Sequence, residues 1–236
     1  MLTQPVITLD IDWAPDFIIN NVADILIEHR VNATWFATHL SSAVRRLQEY
    51  NDLFEIGIHP NFMEGSTHGK TSIDVLKHMM DLFPEAKSMR SHGLVQSSSI
   101  LAEVCEYTSI VTDVSLFLPS IPYSIYSEYW TPHRKLDRYT YVWEDNYEMF
   151  KPTAYWRYEN TGRDDLKLGI INFHPVHLVL NGADLSNYKR LKDRKPRIDQ
   201  VEPIDLQGLT STGEGPRTMF DSLLHFPSCK ISDISP

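Results

Sequence analysis

The sequence is poor in cysteine, in positive charge and in long apolar stretches. It has only 2 cysteines, Cys105 and Cys229, which are far apart and form no Cys-x-x-Cys pair. This excludes a disulfide framework and a cysteine zinc site. No apolar run approaches the roughly 20 residues that a membrane-spanning helix requires. The N-terminus lacks the basic and apolar regions of a signal peptide, so we expect a cytoplasmic protein without a transmembrane segment.

Negative charge dominates the composition. Lysine and arginine total 22 against 31 aspartates and glutamates, which gives a formal net charge of -9. Nucleic acids and anionic membranes are polyanions, so this balance argues against both as partners. The content of 42% hydrophobic and 22% charged residues is ordinary for a globular protein. We expect a single domain over residues 1–236, which is long enough for one sizeable core.

Strand-like runs alternate with helical stretches over the first half of the chain. The first strand is predicted at Val6–Asp12, and Asp16–Arg30 then carries apolar residues at helical spacing. Four further strands are predicted at Ala33–Thr38, Leu53–His59, Lys87–Ser91 and Ser109–Asp113. The alternation lapses in the aromatic stretch Phe117–Arg138, after which Tyr139–Trp143 and Leu168–Phe173 resemble later strands. This order is typical of a parallel sheet covered by helices. It favours a closed barrel, although an open doubly wound sheet shares the same rhythm.

Titratable side chains collect at the ends of five predicted strands, where parallel α/β folds carry their reactive groups. They are Asp10 with Asp12, His59, Arg90 with His92, Asp113, and His174 with His177. The period of a strand places Asp10 and Asp12 on one face. Two close carboxylates repel unless a cation lies between them, or unless one is protonated or paired. The alternative is a solvated strand end or a helix cap.

Two histidines are candidates to join these aspartates on a metal ion. His59 precedes Pro60, which fixes an extended backbone and lets the imidazole project above the sheet. The glycine-containing loop 60–69 can fold back and bring His68 toward His59. Two imidazoles and one carboxylate would leave a position open for water on a zinc ion. The alternatives are a structural His59 and an exposed His68.

Further strand ends offer groups for proton transfer. Arg90 could pair with Asp10 and hold that carboxylate ionised, or it could be a surface arginine. His174 follows an apolar strand and suits a general acid near neutral pH, with His177 as its competitor. Aromatic residues of the irregular stretch could stack on a sugar or belong to the core; they are Tyr126, Tyr129 and Trp130.

In their order along the chain, these motifs resemble the NodB-type polysaccharide deacetylase superfamily. The resemblance spans Val6–Leu178 and lies in Thr8–Asp12, Asn32–Thr38, Glu55–His59, Arg90–Gly93 and Asn172–His174. It is greatest to the small members without a signal peptide from O-antigen gene clusters. It implies an α/β fold of the distorted, incomplete (β/α) barrel type, with seven strands in a TIM-like arrangement.

The resemblance also implies roles for the residues at the metal. Asp10 is expected to be the catalytic base, with Asp12 and His59 as metal ligands. The family commonly has adjacent aspartates, whereas Ile11 intervenes here. Its usual second histidine lies four residues after the first, a position occupied here by Met63. His68 is therefore the expected third ligand, as the best substitute on this loop.

The remaining catalytic roles follow from the same resemblance. Arg90 is expected to orient the base Asp10, His174 to be the general acid, and Asp113 to tune that acid. The tryptophan that often follows this aspartate in the family is absent, because Val114 stands there. The residues Trp143–Asp145 either line the pocket or form a structural strand end.

The expected function is hydrolysis of the N-acetyl group of an amino sugar in an O-antigen or other surface-glycan precursor. A divalent ion, zinc by the type of its ligands, would activate water together with Asp10, and His174 would protonate the leaving amine. Two alternatives stay open, a hydrolase of a non-sugar amide in the same superfamily and a non-catalytic carbohydrate-binding barrel. The sequence does not disclose the oligomeric state.

Overall fold

The structure is a computed structural model, and it describes residues 5–119, 121, 123–158 and 169–234. Its strands are β1 (Val6–Asp10), β2 (Ala33–Ala37), β3 (Phe54–Ile58), β4 (Ser88–Met89), β5 (Thr112–Phe117), β6 (Tyr126–Trp130), β7 (Lys135–Glu144) and β8 (Ile170–Phe173). Its helices are α1 (Asp16–His29), α2 (Ser42–Glu49), α3 (Ser72–Leu82), α4 (Ser98–Tyr107), α5 (Asp145–Glu148), α6 (Pro175–Leu180), α7 (Ser186–Arg194) and α8 (Pro216–Leu223).

Seven of these strands close into a parallel barrel. The order around the ring is β1, β2, β3, β4, β5, β7 and β8, and β8 pairs with β1 again. β6 lies outside the ring, antiparallel to β7. The β5–β7 and β8–β1 pairings decide against an open sheet. The predicted distorted (β/α) barrel with seven strands is therefore confirmed.

Two apolar clusters hold the barrel together. Ile7 and Leu9 of β1 face the helices and belong to the larger cluster between sheet and helix layer. Val6 belongs to the smaller cluster with Phe36 of β2 and Tyr141 of β7. The alternation follows from the two-residue period of a strand. Thr8 and Asp10, also buried, share the face of Val6, so polar groups occupy the carboxyl end of the interior.

Three helices of the first half, α2 to α4, begin at residues that cap a helix N-terminus, whereas α1 follows Pro15 and has no side-chain cap. The Ser41 side chain accepts a hydrogen bond from the backbone of Val44, and Ser97 does the same for Ile100 at the start of α4. At α3, Thr71 and Asp74 form a reciprocal capping box. Such caps satisfy backbone N–H groups that the first helical turn leaves free. None of the described helices is long and apolar enough to cross a bilayer.

β1 ends two residues earlier than predicted, and a tight turn follows it. Asp12 and Trp13 have φ angles of 47° and 56°, in the left-handed region that side chains other than glycine rarely adopt. Hydrogen bonds from Ala14 N to Ile11 O (2.8 Å) and from Trp13 N to Thr38 Oγ1 (3.1 Å) hold this turn. The turn, and not strand periodicity, therefore sets the position of the Asp12 carboxylate.

The second half of the chain departs more from the predicted elements. The irregular stretch contains β6, and β5 begins at Thr112 instead of Ser109 and runs on to Phe117. The short helices α5 and α6 directly follow β7 and β8, where no helix was predicted. Leu168, the predicted start of the last strand, lies outside the described residues, and β8 begins at Ile170.

The C-terminal segment covers the amino end of the barrel. Ile231 and Ile234 are buried in the smaller, interior apolar cluster. The backbone N–H of Ile231 donates to Thr34 Oγ1 at 2.9 Å, and that of Ser232 donates to Glu55 Oε2 at 2.8 Å. Thr34 and Glu55 lie near the starts of β2 and β3. Residues far from the first strands in sequence therefore close the interior at the amino end of the barrel.

Candidate active site

The carboxyl ends of the strands carry a cluster of acidic and imidazole side chains. Above it lies a cleft of about 650 Å³. One wall comes from the strand-end turns, with Asp12, Trp13 and His92, and the other from α7 and the segment after it. The carboxyl end of a parallel barrel is where this architecture commonly places its chemistry.

Asp12, His59 and His92 form the tightest group of candidate metal ligands. Asp12 Oδ1 lies 3.1 Å from His59 Nε2 and 3.0 Å from His92 Nδ1. The two imidazole nitrogens are 3.2 Å apart. Donor atoms about 2.0–2.2 Å from one zinc ion in tetrahedral geometry stand at roughly such separations. The three donor atoms therefore surround one position that a divalent ion fits.

The tautomer of His59 supports this fit. Its Nδ1 lies 2.7 Å from the carbonyl oxygen of Arg90, to which only a protonated nitrogen can donate. In the neutral ring this leaves the lone pair on Nε2, which points toward Asp12 and His92. Metal-bound histidines commonly fix their orientation by such a bond to a backbone carbonyl. His59 thus presents a free lone pair at the centre of the group.

The electrostatics of the group also suit a cation. Burial alone would raise the pKa of Asp12, but the adjacent imidazoles of His59 and His92 outweigh it and hold that pKa well below its usual value. Burial would lower the pKa of His92, yet the neighbouring Asp12 carboxylate raises it overall. An ionised carboxylate is therefore retained between two imidazoles in a largely buried place.

His68 lies beside this group but outside it, which corrects the expected ligand set. Its Nδ1 accepts the backbone N–H of Asn61 at 3.1 Å, so the lone pair on that nitrogen is engaged. The neutral ring then carries its proton on Nε2, which leaves no lone pair free for a metal ion. The ring is buried and packs at 5.5 Å from Trp13, so His68 is not the exposed loop residue of the alternative either.

Asp10 occupies the barrel interior next to the metal-ligand group. Arg90 Nη1 donates to its Oδ1 at 2.9 Å, and Asn172 Nδ2 donates to its Oδ2 at 2.9 Å. The same Oδ2 lies 3.9 Å from His59 Nε2. Both carboxylate oxygens are therefore held in place by charged or polar donors within reach of the ion position.

Arg90 is fully buried, which excludes a surface role. Its guanidinium stacks between the rings of Phe36 and Tyr141, at 4.7 Å and 4.3 Å from their centroids. Its Nε donates to the carbonyl of Val114 at 3.1 Å. Because a buried guanidinium needs both a counter-ion and hydrogen bonds, Arg90 and Asp10 depend on each other.

His174 faces the group from the end of β8, the neighbour of β1 in the ring. Its Nδ1 contacts Asp145 Oδ1 at 2.7 Å, and its Nε2 lies 3.6 Å from Asp12 Oδ2 and 3.9 Å from Glu144 Oε1. Burial would lower the pKa of His174, but the charges of Asp145, Asp12 and Glu144 raise it well above the usual value. A proton is therefore held on this imidazole close to the ion position.

Asp113 does not contact His174, which corrects the predicted partner of that histidine. The Asp113 carboxylate is fully buried, accepts from Ser115 and pairs with Arg138 at 2.8 Å. It is the second residue of β5, near the amino end of the strand. Asp145, the residue that follows β7, lies at the carboxyl end and takes the place beside His174.

Comparison with known proteins identifies the family. The WbmS-like polysaccharide deacetylase family matches residues 7–192. The chain belongs to this family. A solved structure from Bordetella bronchiseptica, of a protein described as a polysaccharide deacetylase involved in O-antigen biosynthesis (WbmS), is 31% identical with a TM-score of 0.74. That match covers 93% of this chain and 88% of the other. No functionally curated protein matches the chain.

This WbmS-like chain has two site residues that the sequence did not single out. His92 belonged to a predicted strand end, but the ring of strands was needed to place it beside His59, since β3 and β4 are neighbours. Asp145 follows Glu144 at the end of β7, a segment suspected only of lining the pocket. Position at a strand end was thus a usable signal for both residues. The sequence pattern did not show which residue each of them contacts.

Two other histidine and acid groups occur among the described residues of the WbmS-like site: Asp145 with His174 and His177, and Asp10 with Glu144 and His174. Asp145 accepts from both the Nδ1 and the backbone N–H of His174, at 2.7 Å each. His177, the third member of that group, has its pKa lowered to about 4, chiefly by burial. Of the two histidines, His174 therefore holds a proton near neutral pH and His177 does not.

Aromatic residues of the WbmS-like cleft are not the ones that the sequence suggested. Tyr126, Tyr129 and Trp130 lie on β6, outside the ring, where Trp130 is 66% exposed. Trp13 and Tyr188 line the cleft instead. The Trp13 ring lies edge-on to His92, with 5.1 Å between ring centroids. Aromatic rings in such a cleft can stack on the apolar face of a sugar.

Proposed function

We propose that the chain is a metal-dependent N-deacetylase that acts on an N-acetylated amino sugar of a surface-glycan precursor, as in O-antigen synthesis. The observation that carries this proposal is the meeting of His59 Nε2, His92 Nδ1 and Asp12 Oδ1 within 3.0–3.2 Å of one another. Asp10 and His174 flank this position from two sides. Membership of the deacetylase family supports the type of reaction.

Asp12, His59 and His92 would hold the divalent ion, and the two imidazoles with one carboxylate favour zinc. When bound, the ion would polarise the acetyl carbonyl and lower the pKa of a water molecule. This ligand set replaces the expected one that included His68.

Asp10 acts as the general base in this proposal. Arg90 and Asn172 each donate to one of its oxygens, which fixes the plane of the carboxylate. Asp10 takes a proton from water as the water attacks the acetyl carbon. Arg90 serves as a positioning residue, since it acts through Asp10.

His174 supplies the proton that the departing amine needs. The contact with Asp145 at Nδ1 leaves Nε2 as the nitrogen that faces the cluster. Asp145 orients the ring and stabilises its protonated form, the role that the sequence assigned to Asp113. Acetate and a free amino sugar are the products.

Acetate release from N-acetylated sugars and sugar nucleotides, measured with and without a chelator, tests the proposal. We expect zinc-dependent release that Asp10→Asn abolishes while bound zinc stays near one per chain. Loss of zinc together with activity in Asp10→Asn would make Asp10 a ligand instead of a base. A wild-type chain that neither binds zinc nor responds to chelator would favour the non-catalytic binding barrel.

A further inference from the structure

One short segment concentrates positive charge in an acidic chain. Residues 189–197 contain six of the 22 lysines and arginines and only one acid, Asp193, although the whole chain has a net charge of -9. The segment covers most of α7 and the turn that follows it. We call it the basic segment.

The basic segment forms one wall of the cleft over the candidate metal ligands. Leu191 is fully buried and anchors α7 to the core. On the side of the cleft, Lys192 and Arg197 line the wall, opposite Asp12. Positive charge has thus been placed at the mouth of the proposed active site, and not only on a remote surface.

The two basic side chains of the cleft differ in their partners. Arg197 pairs with Asp199 through two contacts, at 3.1 Å and 2.5 Å, so its charge is balanced within the wall. Lys192 Nζ donates to the backbone carbonyl of Pro196. Within the part of the chain that the structure describes, Lys192 forms no ion pair with a carboxylate.

The sum of charges around the cleft points to an anionic ligand. Its charged lining residues are Lys192, Arg197, Asp12 and Asp199. The Arg197–Asp199 pair cancels, and Asp12 belongs to the proposed metal-ligand set. The half-buried Lys192 side chain then remains without a carboxylate partner among the described residues, and an anion in the cleft would supply the counter-charge.

We propose that Lys192 binds an anionic group, a carboxylate or a phosphate, carried by the N-acetylated sugar substrate. The inference rests on the proposed function and narrows its substrate class to acidic amino sugars or sugar phosphates. Trp13 and Tyr188, on the same cleft, flank the space for the pyranose ring. An ammonium group on a flexible stem accepts either a carboxylate or a phosphate as partner.

Three substrates that share the N-acetylated glucosamine ring and carry no charge, a phosphate or a carboxylate test this inference with the zinc-loaded chain. They are methyl N-acetylglucosaminide, N-acetylglucosamine 1-phosphate and N-acetylglucosaminuronic acid. Acetate release gives kcat/KM for each, and calorimetry on Asp10→Asn gives binding without turnover. Lys192→Met removes the charge and keeps the length of the side chain. Lys189→Met, on the exposed side of the same helix and outside the cleft, is the matched control.

We expect the wild type to prefer one or both anionic sugars by about tenfold or more, through a lower KM. Lys192→Met should remove that preference and leave the neutral sugar unchanged, whereas Lys189→Met should behave as wild type. The preference should also weaken as salt rises. Whichever anionic sugar gains more identifies the group as carboxylate or phosphate.

Equal kcat/KM for all three sugars, or an equal loss on all three in Lys192→Met, would overturn the inference while leaving the deacetylase proposal intact. Absence of acetate release from every sugar would count against the proposed function. In that case Lys192-dependent binding of an anionic sugar in the calorimeter would still uphold the site, and its absence would overturn it.

Discussion

Replacement of Asp145 by asparagine would separate the partner of His174 from the other buried aspartate. The Asp145 carboxylate lies 2.7 Å from His174 Nδ1 and has no exposed surface. A charge-assisted hydrogen bond of this kind contributes about 1.5–3 kcal/mol, which corresponds to roughly a 10- to 100-fold change in rate. We expect kcat/KM for acetate release to fall by at least this factor.

The pH profile gives the sign of the effect. Asp145 raises the pKa of His174, so the protonated form persists to higher pH in the wild type. In Asp145→Asn that pKa falls, and the alkaline limb of kcat/KM should move to lower pH. The acid limb, which reports the base, should stay in place. Zinc content and circular dichroism would show that the site and the fold survive.

Asp113→Asn is the matched control, because Asp113 is equally buried but pairs with Arg138. We expect it to lower the free energy of unfolding by about 3 kcal/mol, as loss of one partner of a buried pair does. Its kcat/KM and alkaline limb should stay close to those of the wild type. A shift of that limb in Asp113→Asn, with none in Asp145→Asn, would refute the assignment.

Three further predictions, with four substitutions, probe the rest of the site. His92→Asn should weaken zinc binding by more than about 100-fold while His68→Asn changes it by less than about tenfold, measured by competition with a chromogenic chelator; the reverse order would restore His68 as the ligand. Arg90→Met leaves the Asp10 carboxylate buried without its partner, so urea titration should show about 3–5 kcal/mol less stability, and a smaller loss would mean that the Arg90–Asp10 pair does not stabilise the fold. His177 has its pKa lowered from 6.5 to about 4 by burial, so its contribution to stability is present above pH 6.5 and is lost as pH falls toward 4. Between pH 7 and 5, the free energy of unfolding of His177→Leu should therefore fall by about 2 kcal/mol less than that of the wild type, as urea titration at the two pH values would measure. Equal losses would show that His177 does not titrate in this way.

Much of the barrel was predictable because its strands and helices follow simple periodic rules. In the first half, where capped helices alternate with short apolar strands, β1 to β4 lie where predicted to within about two residues. The stretch after β5 was harder, because β6 is an outer strand with mostly exposed side chains and lacks an apolar face. Local pattern does not distinguish such a strand from a loop.

The site was predictable in its composition but not in its contacts. Asp10, Asp12, His59 and His174 do converge, since the carboxyl ends of neighbouring strands meet at one rim. The partner of His174 depended on the strand register. A strand predicted three residues too early put Asp113 at a carboxyl end, although it lies near the start of β5.

The third ligand depended on a spatial neighbour instead of a sequence neighbour. His68 is closer than His92 to His59 along the chain, which made it the natural choice on a flexible loop. The parallel pairing of β3 and β4 brings the turn after Met89 next to the end of β3. The sequence pattern could not predict the left-handed conformation of Asp12 either, because strand periodicity indicated only extended backbone there.

The position of Ile231 and Ile234 under the barrel has a consequence for biosynthesis. These residues are translated after every strand of the ring, so a nascent chain can pair all seven strands before the segment that covers the amino end of the barrel exists. Until then the underside of the interior, including Thr34 and Glu55, stays open to water. Native packing is therefore completed only after Ile231 and Ile234 have been added, and a chain that stops before Ile231 would be the form that chaperones and proteases recognise.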